Sequence, residues 1–317
     1  MKNEVIMMVG LPGSGKSSHV KKYVDQGYLH LSRDKEGGKV ISLLPLLEKQ
    51  IANGGSAVLD CTFVKRSDRQ PFIDKCNKFN VPIKCYFMNT KAEDCQINVL
   101  NRMWDRHGKI FFDKDDLKEV KEDPNMFPIS VIFIMKKALE PPTVAEGFDK
   151  VDKVKFIRKN NESYKNKALF LDYDGTLRET SAEGNGMYPV KPSEVVVGPI
   201  TAKVLKGYQN DGYRLLGVSN QSGIGKGVLT KEDAESCFDE TNRQLGIDIE
   251  YSYCPHRVPP VSCYCRKPQS GMVVNYINKY EIDVSKSIFV GDMASDKTCA
   301  TRLGITFIHA GDFFGGK

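Results

Sequence analysis

Phe170-Leu-Asp172-Tyr-Asp174-Gly-Thr-Leu-Arg178 (FLDYDGTLR), entered from Ala168 and Leu169, decides how this chain is read. The short apolar run predicts a buried strand. Asp172 and Asp174 follow it at i and i+2, so on extended backbone their carboxylates share a face. Gly175 and Thr176 then turn the chain away. Acids at the carboxyl end of a parallel strand occupy the edge where an open α/β sheet places its chemistry. Taken alone, the stretch also reads as an Asp-rich turn.

Three later segments decide between these readings. Leu215 to Val218 predicts a strand that ends in Ser219-Asn220-Gln221-Ser222-Gly223. Arg266-Lys267-Pro268 supplies a lysine, and Ile288 to Val290 predicts a strand that ends in Gly291-Asp292-Met-Ala-Ser-Asp296. The four segments, in this order, resemble the haloacid-dehalogenase-type phosphatases. The resemblance implies that Asp172 is a nucleophile forming an aspartyl-phosphate, which splits ester hydrolysis into two easier steps. Asp174 would protonate the leaving alkoxide and then deprotonate water. The Ser219 hydroxyl and nearby amides would hold phosphate oxygens, and Lys267 would offset charge between nucleophile and phosphate. Asp292 and Asp296, with Asp172 and Asp174, would hold Mg²⁺.

Between the second and third segments, Cys254-Pro-His256 and Cys263-Tyr-Cys265 offer three thiolates and one imidazole over twelve residues. Such a set suits a closed tetrahedral Zn²⁺ site that stabilises a loop too short to bury a core; with four protein ligands the zinc would be structural. Four buried, reduced side chains is the other reading. The stretches FLDYDGTLR, SNQSGIGKG and CPHRVPPVSCYCRKPQSGM resemble the histidinol-phosphate and heptose-bisphosphate phosphatases over most of residues 168–310. Polynucleotide 3′-phosphatase domains are similar in the same core and the Asn-Gln-x-Gly-Ile-Gly stretch, but the cysteine loop is not expected in them. No helical cap insertion is evident after Asp172, so an open site is expected.

The first half carries a second chemistry. Val5 to Val9 predicts a buried strand, followed by Gly10-Leu-Pro-Gly13-Ser14-Gly15-Lys16-Ser17-Ser18, a GxxxxGK[ST] match in strand–loop–helix context. Its glycines let backbone N–H groups converge on a β-phosphate at a helix N-terminus. Lys16 would reach the β- and γ-oxygens, and the Ser17 hydroxyl would ligate Mg²⁺, which predicts an ATP site. Tyr28 to Ser32 predicts a strand leading to Arg33-Asp34, where Asp34 is a general base or a helix cap. Ala57 to Leu59 predicts another, leading to Asp60-Cys-Thr62, a metal or acceptor contact or a cap. Pro82 to Met88 predicts a fourth, and Ala92 to Arg102 a helix. Arg102 and Arg106, four apart, share a helical face: a solvated surface, or a lid that neutralises a transferring phosphoryl group. This set resembles the kinase domain of polynucleotide kinases. The resemblance implies that Asp34 deprotonates a 5′-hydroxyl and that Arg102 and Arg106 contact nucleotide phosphates. Where phage enzymes place a further arginine one turn after the base, this chain has Lys35-Glu-Gly-Gly38.

Length and composition bound the answer. A chain of 317 residues, 40% hydrophobic and 27% charged, suits two soluble domains. The basic, polar stretch from Asp149 to Lys167 predicts a join near residue 160, giving residues 1–160 and 161–317 as two doubly wound parallel-sheet α/β domains. No run approaches the roughly 20 apolar residues of a membrane span, and the start does not read as a secretion signal. A cytosolic protein, or a nuclear one in a eukaryote, is therefore expected, with nine cysteines that are not a disulfide framework. Net charge of +6 is compatible with phosphate-rich partners. The order, kinase then phosphatase, resembles the phage-type polynucleotide kinase–phosphatases and implies healing of nucleic-acid ends, DNA or RNA. The alternatives are a metabolic fusion acting on small sugar or polyol phosphates, and a binding module with decayed sites.

Overall fold

The computed structural model describes residues 3–181, 188–257 and 263–315. The chain forms two compact units, Met1–Val99 with Val120–Arg158, and Leu100–Glu119 with Lys159–Lys317. Both are α/β units built on a parallel five-stranded sheet.

In the first unit, β1 (Val5–Val9), α1 (Lys16–Val24), β2 (Leu29–Ser32), α2 (Arg33–Glu36), α3 (Leu44–Ala52), β3 (Ala57–Asp60), α4 (Arg66–Lys78) and β4 (Ile83–Met88) follow in order. α5 (Ala92–His107) begins in this unit and crosses into the other at Val99/Leu100; α6 (Ile129–Ala138) and β5 (Lys150–Val154) complete the first. The sheet order is β2-β3-β1-β4-β5. β1 is buried along its whole length, as an uninterrupted apolar run in a sheet covered on both faces must be. The chain leaves β1 to one side for β2 and β3 and to the other for β4 and β5, so the carboxyl end of β1 is the switch point where ligands bind.

The stretch read from sequence as a basic join contains β5, which pairs in parallel with β4 from Lys84↔Lys150 to Met88↔Val154. Its charged residues, Lys150, Asp152 and Lys153, hid it: an edge strand needs only one partly covered face, and charge protects the open edge. α5 runs to His107, beyond the expected Arg102.

In the second unit β6 (Lys167–Leu171) is central. β7 (Glu179–Thr180) and β8 (Val195–Val196) form a small antiparallel pair. Next come α7 (Pro199–Asn210), β9 (Tyr213–Asn220), α8 (Ser222–Gly225), α9 (Lys231–Leu245), β10 (Glu250–Cys254) and α10 (Gly271–Lys279). β11 (Ile288–Gly291), α11 (Ala294–Leu303), β12 (Thr306–His309) and α12 (Ala310–Phe313) close the unit. The order is β10-β9-β6-β11-β12, so β6 has the same switch-point role as β1. α9 starts at Thr230, whose hydroxyl accepts the Asp233 N–H, and ends at left-handed Gly246. It buries Ala234, Cys237, Phe238, Thr241 and Leu245, a 3–4 spacing that lays one face on the sheet. Phe238 meets Tyr173 edge to face at 4.5 Å, fixing the backbone between Asp172 and Asp174 from below.

All nine cysteines are buried and free of disulfides. No described helix is long and apolar enough to cross a membrane. The stretch following Ser181, part of the region read as lacking a cap insertion, includes residues 182–187, which lie outside the described residues.

Candidate active sites

In the first unit the loop after β1 is built for backbone exposure. Gly13 sits at φ 77°, and a Cβ there would lie 2.5 Å from the Cys95 carbonyl oxygen, so no side chain fits. Asn98 Nδ2 donates to Gly13 O at 2.8 Å and Thr90 Oγ1 to Ser14 O at 2.8 Å, bracing the loop from α5 and the segment before it. Gly10 N donates to Thr62 O at 3.0 Å, so the main chain at Thr62 braces the start of the loop. Lys16 Nζ folds back over the loop, donating to Gly10 O at 3.1 Å and Leu11 O at 2.8 Å. Gly15, left-handed at φ 92°, precedes α1, whose first turn carries exposed Ser17 and Ser18. Ser14 Oγ is buried with no hydrogen-bond partner, a costly arrangement that a phosphate oxygen would relieve. The loop thus fits a nucleotide.

Asp34 lies in the first turn of α2 with an exposed side chain. The cap is Ser32, whose Oγ accepts the Asp34 N–H at 3.2 Å, so the Asp34 carboxylate is not the capping group. Asp60 Oδ2 stands 3.2 Å from His30 Nε2, a partner that sequence reading did not single out. Arg102, half-buried, and Arg106, exposed, lie on the part of α5 that belongs to the second unit; Lys16, Ser17 and Asp34 belong to the first.

In the second unit, parallel pairing of β6 with β9 and β11 brings Asp172, Ser219 and Asp292 to one edge. Lys267 Nζ, fully buried, is 2.8 Å from Asp172 Oδ1 and 2.8 Å from Asp296 Oδ1, and donates to Val218 O at 2.7 Å. Asn220 clamps the Lys267 backbone from both sides: its Nδ2 donates to Lys267 O at 3.1 Å and its Oδ1 accepts the Lys267 N–H at 3.0 Å. Burial pushes the Asp172 carboxyl up to about 7; the Lys267 ammonium opposes this and Asp296 adds to it. Against the burial penalty, Asp172 and Asp296 hold the Lys267 pKa above its ordinary value.

Asp172, Asp292 and Asp296 bring one carboxylate oxygen each within 4.8 Å of one another. Asp292 Oδ1 is buried without a hydrogen-bond partner, and burial raises the Asp292 pKa. An orphan oxygen in an acidic cluster fits a hard divalent cation. Gly175 is required beside it, since a Cβ there, at φ 79°, would lie 2.5 Å from Asp292 Oδ2. Asp174 stands apart from the three. Its Oδ1 accepts from Arg178 Nε at 2.8 Å and its Oδ2 from Gln221 Nε2 at 2.7 Å, which fix the direction of the carboxylate. Gln221 also donates to Ser219 Oγ at 2.9 Å, tying the second segment to the first. Sequence reading quoted Arg178 and Gln221 within their motifs but gave them no part; the four-residue step from Asp174 to Arg178 was the available signal.

The Cys254, His256, Cys263 and Cys265 ligand atoms all lie within 4.8 Å of one another, and Cys254, Cys263 and Cys265 are buried. His256 Nδ1 is 3.4 Å from Cys254 Sγ and 3.3 Å from Cys265 Sγ; Cys254 and Cys263 sulfurs are 3.7 Å apart. Zn–S bonds of about 2.3 Å put tetrahedral sulfurs about 3.8 Å apart, so the set fits a tetrahedral ion. The hydrogen bonds among these thiols hold Cys263 well below its usual range and push Cys265 up, as expected of sulfurs packed this closely.

Comparison with known proteins matches the two halves of the chain to different families. An AAA domain family model matches residues 5–123, and the polynucleotide kinase 3 phosphatase family model matches residues 167–314. A probable D-glycero-D-manno-heptose-1,7-bisphosphate 7-phosphatase of Thermoplasma volcanium is 38% identical over 146 residues, 44% of this chain and 96% of that protein. The D-glycero-beta-D-manno-heptose-1,7-bisphosphate 7-phosphatase of Haemophilus influenzae is 34% identical over 140 residues, 41% and 73% of the two chains. A solved D,D-heptose 1,7-bisphosphate phosphatase from B. bronchiseptica is 25% identical, covering 44% of this chain and 78% of its own, at a TM-score of 0.40.

Proposed function

We propose that this chain, which belongs through residues 167–314 to the haloacid-dehalogenase-type phosphatases, is a bifunctional enzyme that heals nucleic-acid ends. Residues 1–160 would transfer the ATP γ-phosphoryl group to a 5′-hydroxyl, and residues 161–317 would remove a 3′-phosphate, leaving ends fit for ligation. The observation that carries the reading is the presence on one chain, in this order, of a phosphate-accepting loop with an orphan Ser14 hydroxyl and of a complete Asp172–Lys267–Asp296 cluster.

In the kinase step Lys16 leaves the loop carbonyls for the transferring phosphoryl group and Asp34 accepts the hydroxyl proton. Ser17 would hold Mg²⁺, which supplies charge neutralisation for the phosphates when bound. In the phosphatase step Asp172 attacks phosphorus while Lys267 draws off charge, and Ser219 holds a phosphate oxygen. Asp174, steadied by Arg178 and Gln221, gives a proton to the leaving oxygen and later takes one from water. Asp172, Asp292 and Asp296 would hold Mg²⁺, and Cys254, His256, Cys263 and Cys265 a structural Zn²⁺.

A second reading, a fusion acting on small sugar phosphates, is favoured by the identity to heptose-bisphosphate phosphatases and by the cysteine–histidine set. An oligonucleotide with a 5′-hydroxyl and a 3′-phosphate, incubated with ATP and Mg²⁺, separates the two. End healing predicts gain at one end and loss at the other. Asp172→Asn should block only the loss, and Lys16→Ala only the gain. An oligonucleotide left unchanged by protein that hydrolyses a heptose bisphosphate would overturn it.

A further inference from the structure

The cysteine–histidine set is not self-contained. His256 turns Nδ1 toward the Cys254 and Cys265 sulfurs, while its Nε2 meets Asp113 Oδ2 at 2.7 Å, across 143 residues of sequence. Asp113 is itself held in place, because its Oδ1 accepts the Asp115 N–H at 2.7 Å and the Asp116 N–H at 3.0 Å. One residue earlier, Phe112 O accepts the Tyr264 N–H at 2.6 Å, and Tyr264 lies between Cys263 and Cys265. Phe111, buried, anchors the approach to this loop. A segment of the first half of the sequence therefore braces both ends of the ligand set, at His256 and at Tyr264. The second compact unit includes this segment.

We propose that Asp113 is a positioning residue of the metal centre: it accepts the Nε2 proton of His256, fixes the tautomer whose Nδ1 lone pair faces the ion, and makes residues 110–116 part of the zinc-bearing loop. The inference rests on reading the four side chains as a zinc site. A carboxylate on the outer nitrogen of a ligating histidine orients the ring and raises its basicity, and its loss weakens metal binding about 10- to 100-fold. The family match at residues 167–314 does not include Asp113, so a phosphatase cut to that match would hold zinc without its brace.

The test uses the full chain loaded with zinc and titrated with a chromophoric chelator. Asp113→Ala should release zinc at about 10- to 100-fold lower chelator. Asp113→Asn, whose single oxygen can serve either the loop amides or Nε2–H but not both, should lie between it and the unaltered protein. Lys114→Ala, one residue on, serves as the control and should match the unaltered protein. Trypsin cleavage after Lys114 should quicken when zinc is stripped, and should be quick in Asp113→Ala with zinc present. If Asp113→Ala does not fold, Asp113→Asn decides, and unaltered affinity there overturns the proposal. Zinc at one per chain with equal affinity in all variants would refute Asp113 alone; no zinc in the unaltered protein would refute the site and with it the proposal.

Discussion

Replacing Lys267 by Met tests the cluster on which the phosphatase reading depends. The ammonium sits 2.8 Å from a carboxylate oxygen of Asp172 and 2.8 Å from one of Asp296, with its side chain 1% exposed. At an effective dielectric of about 20, each such contact amounts to about 6 kcal/mol of attraction before desolvation is subtracted. Removing one partner of a buried pair costs about 3–5 kcal/mol net, because the other is left buried and unpaired. The site can relieve part of that by taking up a proton. Asp172 already titrates at about 7 rather than 3.8 with Lys267 present, and losing the cation drives it higher.

The sign follows from linkage. Between these pKa values the folded state binds a proton that the unfolded state does not, so the stability this group contributes is full below 3.8 and is lost as pH rises through about 7. The variant should therefore be penalised more at high pH. For a domain of about 160 residues, 3–5 kcal/mol corresponds to a fall in Tm of about 10 °C near pH 8, shrinking to about half near pH 5. Trp104, the single tryptophan, lies in the second unit, and its emission in magnesium-free buffer follows that unit's unfolding. Phosphatase activity should drop by about 10²- to 10³-fold. An unchanged Tm, or a fall of equal size at both pH values, would refute the claim that this ammonium is what permits the carboxylates to be buried.

Two further outcomes test separate parts of the argument. Arg178→Gln frees one oxygen of Asp174 and should lower kcat by about 100-fold while leaving KM nearly unchanged; a kcat within about twofold of the unaltered enzyme would show that Gln221 alone positions Asp174. In the first unit, Arg69 is fully buried and grips Glu146 through Nε at 2.7 Å and a terminal nitrogen at 2.8 Å. Arg69→Ala should cost about 3–5 kcal/mol in urea unfolding, whereas Arg69→Met with Glu146→Leu should recover most of it. Equal losses in both would mean that the carbonyls of Phe63 and Glu140, also held by Arg69, carry the effect.

Sequence by itself determined the parts whose chemistry is local. The strand at Val5–Val9 with its glycine loop, the strand before Asp172, and the identities of Lys267, Asp292 and the four metal-type ligands were legible because short-range pattern dictates them. Apolar runs must be buried, tight backbone turns need glycine, and a thiolate–imidazole set has few other uses. Two α/β units with parallel sheets followed from the alternation of such strands with helices. Sequence did not decide which groups meet. That Asp174 is held by Arg178 and Gln221, that Lys267 bridges Asp172 and Asp296, and that Ser32 rather than Asp34 caps α2 depend on side-chain directions set by packing. β5 escaped notice because an edge strand carries charge on its open side. Residues 110–116 were invisible as partners of the cysteine–histidine loop for a simpler reason: that loop lies more than a hundred residues away, and only the folded chain brings the Asp113 carboxylate to the imidazole of His256.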